Sequence, residues 1–453
     1  MSGCGDADLP CRGPFARALA ATLAAGLRAL AAVLVQHRAA APAATVAGDG
    51  PVVLVLPVLP DLSHTFVYRE VLALRRQRPD WRIVVLADNP SAPVHAEAAE
   101  LRPHVQYLRR DGIVGAAWRA CRWLLSRRGR ELFSLYRAHG DVGALLGKHP
   151  LRDPRHPGNA FLLADQLAPL RPRHVHVYAS TWPANVAMGA ATLLGVPFSI
   201  SSYVDFEFTY AHALLAAKVA RARFFRVVTA HCRERLLALP HAGATAATRI
   251  PVILLGLDLA NWQQHATPRG DGTIVSAARL VAKKGLHLLP PALARLRARG
   301  VPCRWRVVGD GPERARLEQL SREHGVADLV TFLGPRDNAA VKQELLAADL
   351  AVLPCVVAAD GERDGIPIFL CEAMALGVPV VSTPISGIPE LVRDGDTGFL
   401  AAPGDVDALA AKIAQALGDR HATAAIAERG RAAVHRELDV DRLAALLVAE
   451  IER

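Results

Sequence analysis

Short apolar runs that end in turn residues recur along this chain, each followed by a stretch with helical spacing. They fall into two series. The first holds "PVVLVLPV", "WRIVVLAD", "HVHVYAS", "VPFSISSY" and "FFRVVTA", with "FVYREVLALRRQ" as a clear helical interval. The second holds "GTIVSAARL", "WRVVGDG", "LVTFLGP", "LAVLPCV" and "VPVVSTP". Continuous rather than alternating apolar strands belong in parallel sheets covered on both faces. Strand–helix alternation therefore predicts an α/β protein with two Rossmann-like, doubly wound domains facing each other across a cleft. With 453 residues the chain is long enough for two cores.

This reading divides the chain into an N-terminal extension and linker (1–49), a first Rossmann-like domain (50–255), a second (256–430) and a C-terminal helix (431–453). Leu443, Leu446, Leu447 and Ile451 are expected on one side of that last helix. Within the extension, Phe15, Leu19, Leu23, Leu27, Leu30 and Leu34 recur at helical spacing, with Arg17 and Arg28 opposite, the pattern of an amphipathic surface helix. The arginines argue against a membrane span and against a secretory signal.

Seven scattered cysteines without a CxxC pair argue against a disulfide framework or structural zinc, and favour the reducing cytoplasm. A net charge of +10 favours anionic partners. It is concentrated over 107–148, where Arg109, Arg110, Arg119, Arg122, Arg127, Arg128, Arg130 and Arg137 interleave with Trp118, Trp123, Leu124, Leu125, Phe133, Leu135 and Tyr136. Such a basic-aromatic insertion suits an anionic membrane surface at the inner face of the cell membrane. Packing of its apolar residues on the domain is the alternative. No nucleic-acid recognition motif accompanies the charge.

The chemistry centres on "DGIPIFLCEAMALGVPVVS". Gly365 and Pro367 suit a tight entry to a helix ending near Gly377, so Asp364 stands before the helix N-terminus and Glu372 about two turns inside. Free N–H groups around 366–369 suit an anion. A ligand with diol, diphosphate and diol in series, a nucleotide-sugar, fits this order of groups. Taken alone, Asp364 reads equally as a helix N-cap.

The stretch resembles the motif of the retaining GT-B glycosyltransferases of family four, the group 1 type. That motif is two acids separated by seven residues within a pattern like E-G-x-P-x-x-x-x-E-A-M-A-x-G-x-P-V-V. The following "SGIPELVRDGDTGFL" continues as in that family, nearest in look to its bacterial exopolysaccharide and colanic-acid members. The resemblance spans about 50–430. It implies a glycosyltransferase moving a hexose from a nucleoside-diphosphate sugar to a glycan or lipid-linked acceptor, with no cofactor and no metal. It also implies that Asp364, standing where the family has Glu, meets hydroxyls of the transferred sugar, and that Glu372 meets the ribose.

By the same resemblance, Arg279 and Lys284 in "SAARLVAKKG" bind the diphosphate, although a bare "RLVAKKG" is a common surface loop. Gly365, Ile366, Pro367, Ile368, Gly309, Leu333 and Glu390 join the donor side. On the acceptor side the resemblance points to Ser63, His64 and Thr65 in "DLSHTFV". It also points to Asp205, and to Tyr203, which occupies the place of a family His. His174 and His176 are read as buried. A non-enzymatic nucleotide-sugar-binding subunit, and a nucleotide-sugar hydrolase or 2-epimerase, are the competing functions.

Overall fold

The computed structural model describes residues 48–61, 64–90, 96–109, 122–123, 125–138, 158–208, 214–239 and 249–453. The amphipathic segment 15–34, Ser63 and Trp118 lie outside these residues.

The first sheet contains β1 (Val52–Leu59), β2 (Arg82–Asp88), β3 (Val105–Tyr107), β4 (His174–Tyr178), β5 (Phe198–Ser202) and β6 (Phe225–Val227). The second contains β7 (Thr273–Ala277), β8 (Arg304–Val308), β9 (Val330–Gly334), β10 (Leu350–Val352), β11 (Val380–Ser382) and β12 (Phe399–Leu400). Their orders are β3-β2-β1-β4-β5-β6 and β12-β11-β10-β7-β8-β9, and every pairing is parallel. Each sheet thus runs 3-2-1-4-5-6 in its own numbering, the order that opens a ligand crevice where the winding reverses. These switch points fall between β1 and β4 and between β7 and β10.

The helices that matter below are α1 (Thr65–Gln77), α2 (Arg127–Ala138), α3 (Trp182–Leu194), α4 (Ala230–Leu237), α5 (Ile368–Ala375), α6 (Arg420–Glu437) and α7 (Val440–Glu452). The apolar strand runs are buried on both faces. Val53 and Val55 of β1 join one cluster of the first domain, while Val52, Leu54 and Leu56 join the other. In the second domain Trp305 donates to Ser276 Oγ at 2.9 Å, and Ser276 donates to Val352 O at 2.6 Å, stitching β8, β7 and β10 together.

The C-terminal boundary differs from the sequence expectation. Residue 430 lies inside α6, and the chain leaves the second domain only after it. It then runs beside the inter-domain linker, where Val440 N donates to Leu257 O at 3.0 Å. A Cβ on Gly256 would come within 2.4 Å of Val440 Cα, which explains the glycine. Helix α7 packs on α1 of the first domain through Val440, Leu443, Ala444, Leu447 and Ile451. Leu446, expected in that face, is 46% exposed, and Ala444 takes its place because it falls nearer the centre of the buried arc.

Most apolar side chains described in the basic-aromatic insertion turn toward the domain. Leu132 and Tyr136 of α2 are buried, and Trp123 donates to Asp165 Oδ1 at 3.2 Å. Phe133 and Leu135 are half-buried in the same cluster. Arg122, Arg127, Arg130 and Arg137 face outward, with Leu125 exposed beside them. No helix among the described residues is long and apolar enough to cross a membrane.

Candidate donor and acceptor site

The second switch point gathers the loops after β7 and β10. Backbone contact brings them to their neighbours. A Cβ on Gly309, at φ +127°, would lie 1.9 Å from Ala278 O, so only glycine lets the turn after β8 press on the Arg279 loop. Gly309 N donates to Gly334 O at the end of β9, one residue past Leu333. Gly285, at φ +68°, lets the Lys284 turn approach Pro354 O in the same way.

Lys284 Nζ stands 2.8 Å from Asp364 Oδ2, and Lys283 Nζ stands 3.5 Å from Oδ1. Burial pushes the Asp364 carboxyl up, but the two lysines outweigh it and hold the group below its usual range. Burial pushes Lys284 down, and Asp364 outweighs that in turn, so both stay charged. The Arg279 guanidinium, next to this pair, is exposed and has no hydrogen-bond or ion-pair partner among the described residues. It is a cation available to an incoming anion.

Beyond Asp364 the chain enters α5. Gly365, Ile366, Pro367 and Ile368 form its approach and first position, where the N–H groups of residues other than Pro367 lack intrahelical acceptors. Glu372 lies in the second turn, 7% exposed. Its Oε1 is 3.3 Å from Arg69 Nη1, a residue of α1 in the other domain.

Several residues expected at the site meet protein partners in this structure. Both oxygens of Glu390, expected on the donor, accept N–H groups of Ala230 and His231 at 2.9 Å and cap α4 across the domain boundary. Such a cap satisfies free amides and favours the positive helix end. Tyr203, expected to face an acceptor, is buried in the first domain with its ring edge-on to Phe66 at 4.9 Å. An aromatic ring at a buried strand end packs where an imidazole would need polar partners. Asp205 is also inward: Arg363 Nε meets its two oxygens at 3.0 and 2.9 Å, and His231 Nε2 lies at 3.3 Å. Burial pushes its carboxyl up, and Arg363 more than reverses this. His64 Nδ1 sits 3.2 Å from Asp61 Oδ2, and Thr65 opens α1. His174 and His176 are buried against Ser199 Oγ, each at 2.7 Å, and burial pushes both imidazoles down.

Sequence reading missed Lys283, Arg363 and Arg69. The first two are chain neighbours of recognised residues in "AKKG" and "ERDG". Arg69 stands 303 positions from its partner, and no local pattern announces it.

Two parallel sheets in mirrored halves, with ionic loops meeting at the second switch point, define the GT-B fold class. Residues 260–433 match the model of the family described as glycosyl transferases, group 1. It is 41% identical over 170 residues to WcaL of Salmonella typhimurium, named for colanic acid biosynthesis, a match covering 37% of this chain and 42% of that protein. It is 41% identical over 138 residues to the amylovoran biosynthesis glycosyltransferase AmsK of Erwinia amylovora, covering 30% of this chain and 34% of that one. These matches span less than half the length of each relative. A crystal structure of Anabaena HepE with UDP and glucose covers 88% of this chain and 99% of its own, with a TM-score of 0.65 and 20% identity, a likeness of fold.

Proposed function

We propose that the chain is a retaining, metal-independent glycosyltransferase that moves a hexose from a nucleoside-diphosphate sugar to an acceptor hydroxyl. The observation that carries this reading is the convergence of Arg279, Lys284, Asp364 and Glu372 at one switch point, in a chain whose matching segment is a group 1 glycosyl transferase domain.

Arg279 and Lys284 sit where a diphosphate would lie over the start of α5. Fixed cations there stabilise charge that grows as the sugar–phosphate bond breaks. They also neutralise the diphosphate, the work a divalent ion does elsewhere. Asp364 accepts sugar hydroxyls, and Glu372 accepts those of the ribose. The C1–O bond to phosphate breaks while the acceptor oxygen bonds to C1 on the same face. The acceptor proton passes to the departing phosphate oxygen, so no protein nucleophile is required.

The acceptor in this reading is a lipid-linked saccharide of cell-surface polysaccharide assembly, handled by a cytoplasmic protein resting on the inner membrane face. The names of WcaL and AmsK support polysaccharide synthesis. The outward arginines of α2 support an anionic membrane surface, with the arginines rather than Trp123 and Tyr136 making the contact.

The test is nucleotide release from a panel of UDP-, GDP-, ADP- and TDP-sugars in EDTA, with and without bacterial lipid extract. Release from one donor that accelerates with extract supports the transferase. Release independent of acceptor, with free sugar formed, points to a hydrolase. Binding without turnover points to a binding subunit.

A further inference from the structure

Glu372 is the recognised residue whose surroundings the sequence says least about. It lies in the second domain, but the charged group that meets it belongs to the first. Arg69 projects from α1 and is only 8% exposed. Its Nε donates to Glu97 Oε1 at 2.9 Å and its Nη1 to Glu372 Oε1 at 3.3 Å. One arginine therefore bridges a carboxylate of its own domain and one of the opposite domain.

A carboxylate that receives two ribose hydroxyls must be ionised, because a protonated carboxyl has lost acceptor capacity and gained a competing donor. Burial works against that state at Glu372 and pushes its carboxyl up, while Arg69 pulls it down. The other groups that act on it or face it are Glu97, which pushes it further up, and the Cys371 thiol next to it, itself pushed up by burial. Arg69 occupies Oε1 alone, and an ionised carboxylate has about four lone-pair sites, so ribose and arginine can share it.

We propose that Arg69 is a positioning residue for the donor site: it reaches from the first domain and holds Glu372 as a hydrogen-bond acceptor for the nucleotide ribose. Donor affinity then depends on the two domains being juxtaposed, although the donor's own contacts lie on the second. The proposal rests on the reading of Glu372 as a nucleotide ligand, and it adds the residue that makes that ligand competent.

The test is the pH dependence of binding of UDP-glucose and GDP-mannose to the full chain, measured by calorimetry between about pH 6 and pH 8. Their diphosphate diesters keep constant charge over this range. In Arg69→Gln the midpoint at which affinity falls on acidification moves up, so that Kd weakens more between about pH 8 and about pH 6 than it does in wild type. Arg69→Lys restores most of the wild-type profile. Glu97→Gln keeps Arg69 and removes the opposing charge, so its midpoint moves down, and it decides the matter if Arg69→Gln does not fold. Glu372→Gln weakens binding at every pH with no midpoint.

An unchanged profile in Arg69→Gln and in Glu97→Gln overturns the proposal. So does a loss in Arg69→Gln that is equal at all pH, which would mean that Arg69 meets the nucleotide directly. If the wild-type protein binds neither sugar nucleotide at any pH, nor any other in the panel above, the donor reading itself falls, and this inference with it.

Discussion

The two domains share one strand order and dispose the charges near their strand ends in opposite ways. At β7 and β10, charge is left available: Arg279 is unpartnered among the described residues, and Lys284 and Asp364 pair at a loop junction. At β4 to β6, charge is turned inward. Arg226 and Glu70 form a buried bidentate pair at 2.7 and 2.8 Å, and Asp205 is bound to Arg363. Lys218, pushed down to about 7 by burial, donates to Ser180 O at 2.6 Å. Under the proposed reading, identical topology supplies a donor crevice in one half and a set of buried ion pairs in the other. Fold alone does not distribute function between the halves; the side chains at the strand ends do.

Changes to the inward ion pairs of the first domain are therefore expected to act on stability and domain contact, and changes to the exposed cation of the second on donor chemistry. Glu70→Ala strands the Arg226 guanidinium in the core and should cost about 3–5 kcal/mol of stability by denaturant titration. If it costs under about 1 kcal/mol, the inward charges of the first domain are not structural. Arg279→Ala should leave stability unchanged and lower kcat/KM by about 2–4 kcal/mol equivalents. Unaltered turnover there removes the phosphate assignment.

Asp205→Asn should lose about 1–3 kcal/mol, because Arg363 keeps a neutral acceptor in place of a charged one. The sign with pH follows from the depressed carboxyl of Asp205. Its stabilisation is fully present above its ordinary value of 3.8 and is lost as pH falls through the lower folded value. The gap between wild type and Asp205→Asn should accordingly close in acid, and a gap that stays constant would contradict the ion pair. Asp364→Glu carries the smallest effect. Its extra methylene reaches further toward a sugar, so a steady-state donor panel should show a shifted preference with stability intact; an unchanged panel argues against sugar contact.

Much of this division was legible beforehand. Continuous apolar runs such as "VVLVLPVL" and "TIVSA" read directly as buried parallel strands. The edge strands β3 and β12, three and two residues long, carry too little pattern to be seen. On the donor side, Asp364, Glu372, Arg279 and Lys284 lie in contiguous loop-and-helix segments whose spacing is set locally. What sequence could not supply were contacts across the cleft. Glu390 stands in a recognisable stretch, yet its carboxylate caps a helix 160 positions away. Tyr203 and Asp205 follow a strand that ends toward the cleft, yet packing against Phe66 and pairing with Arg363 draw them inside. The Glu390 and Asp205 contacts depend on how two domains meet and the Tyr203 contact on packing within the first domain, and no local period encodes either.

The central claim is that the donor binds through the second domain's crevice, and parallel titration of the panel's bound nucleotide-sugar into wild type, Arg279→Ala and His64→Ala tests it most directly. The account predicts that Arg279→Ala weakens Kd by about tenfold or more, near 1.4 kcal/mol, while His64→Ala binds like wild type. Equal weakening in both variants, or weakening in His64→Ala alone, would contradict it.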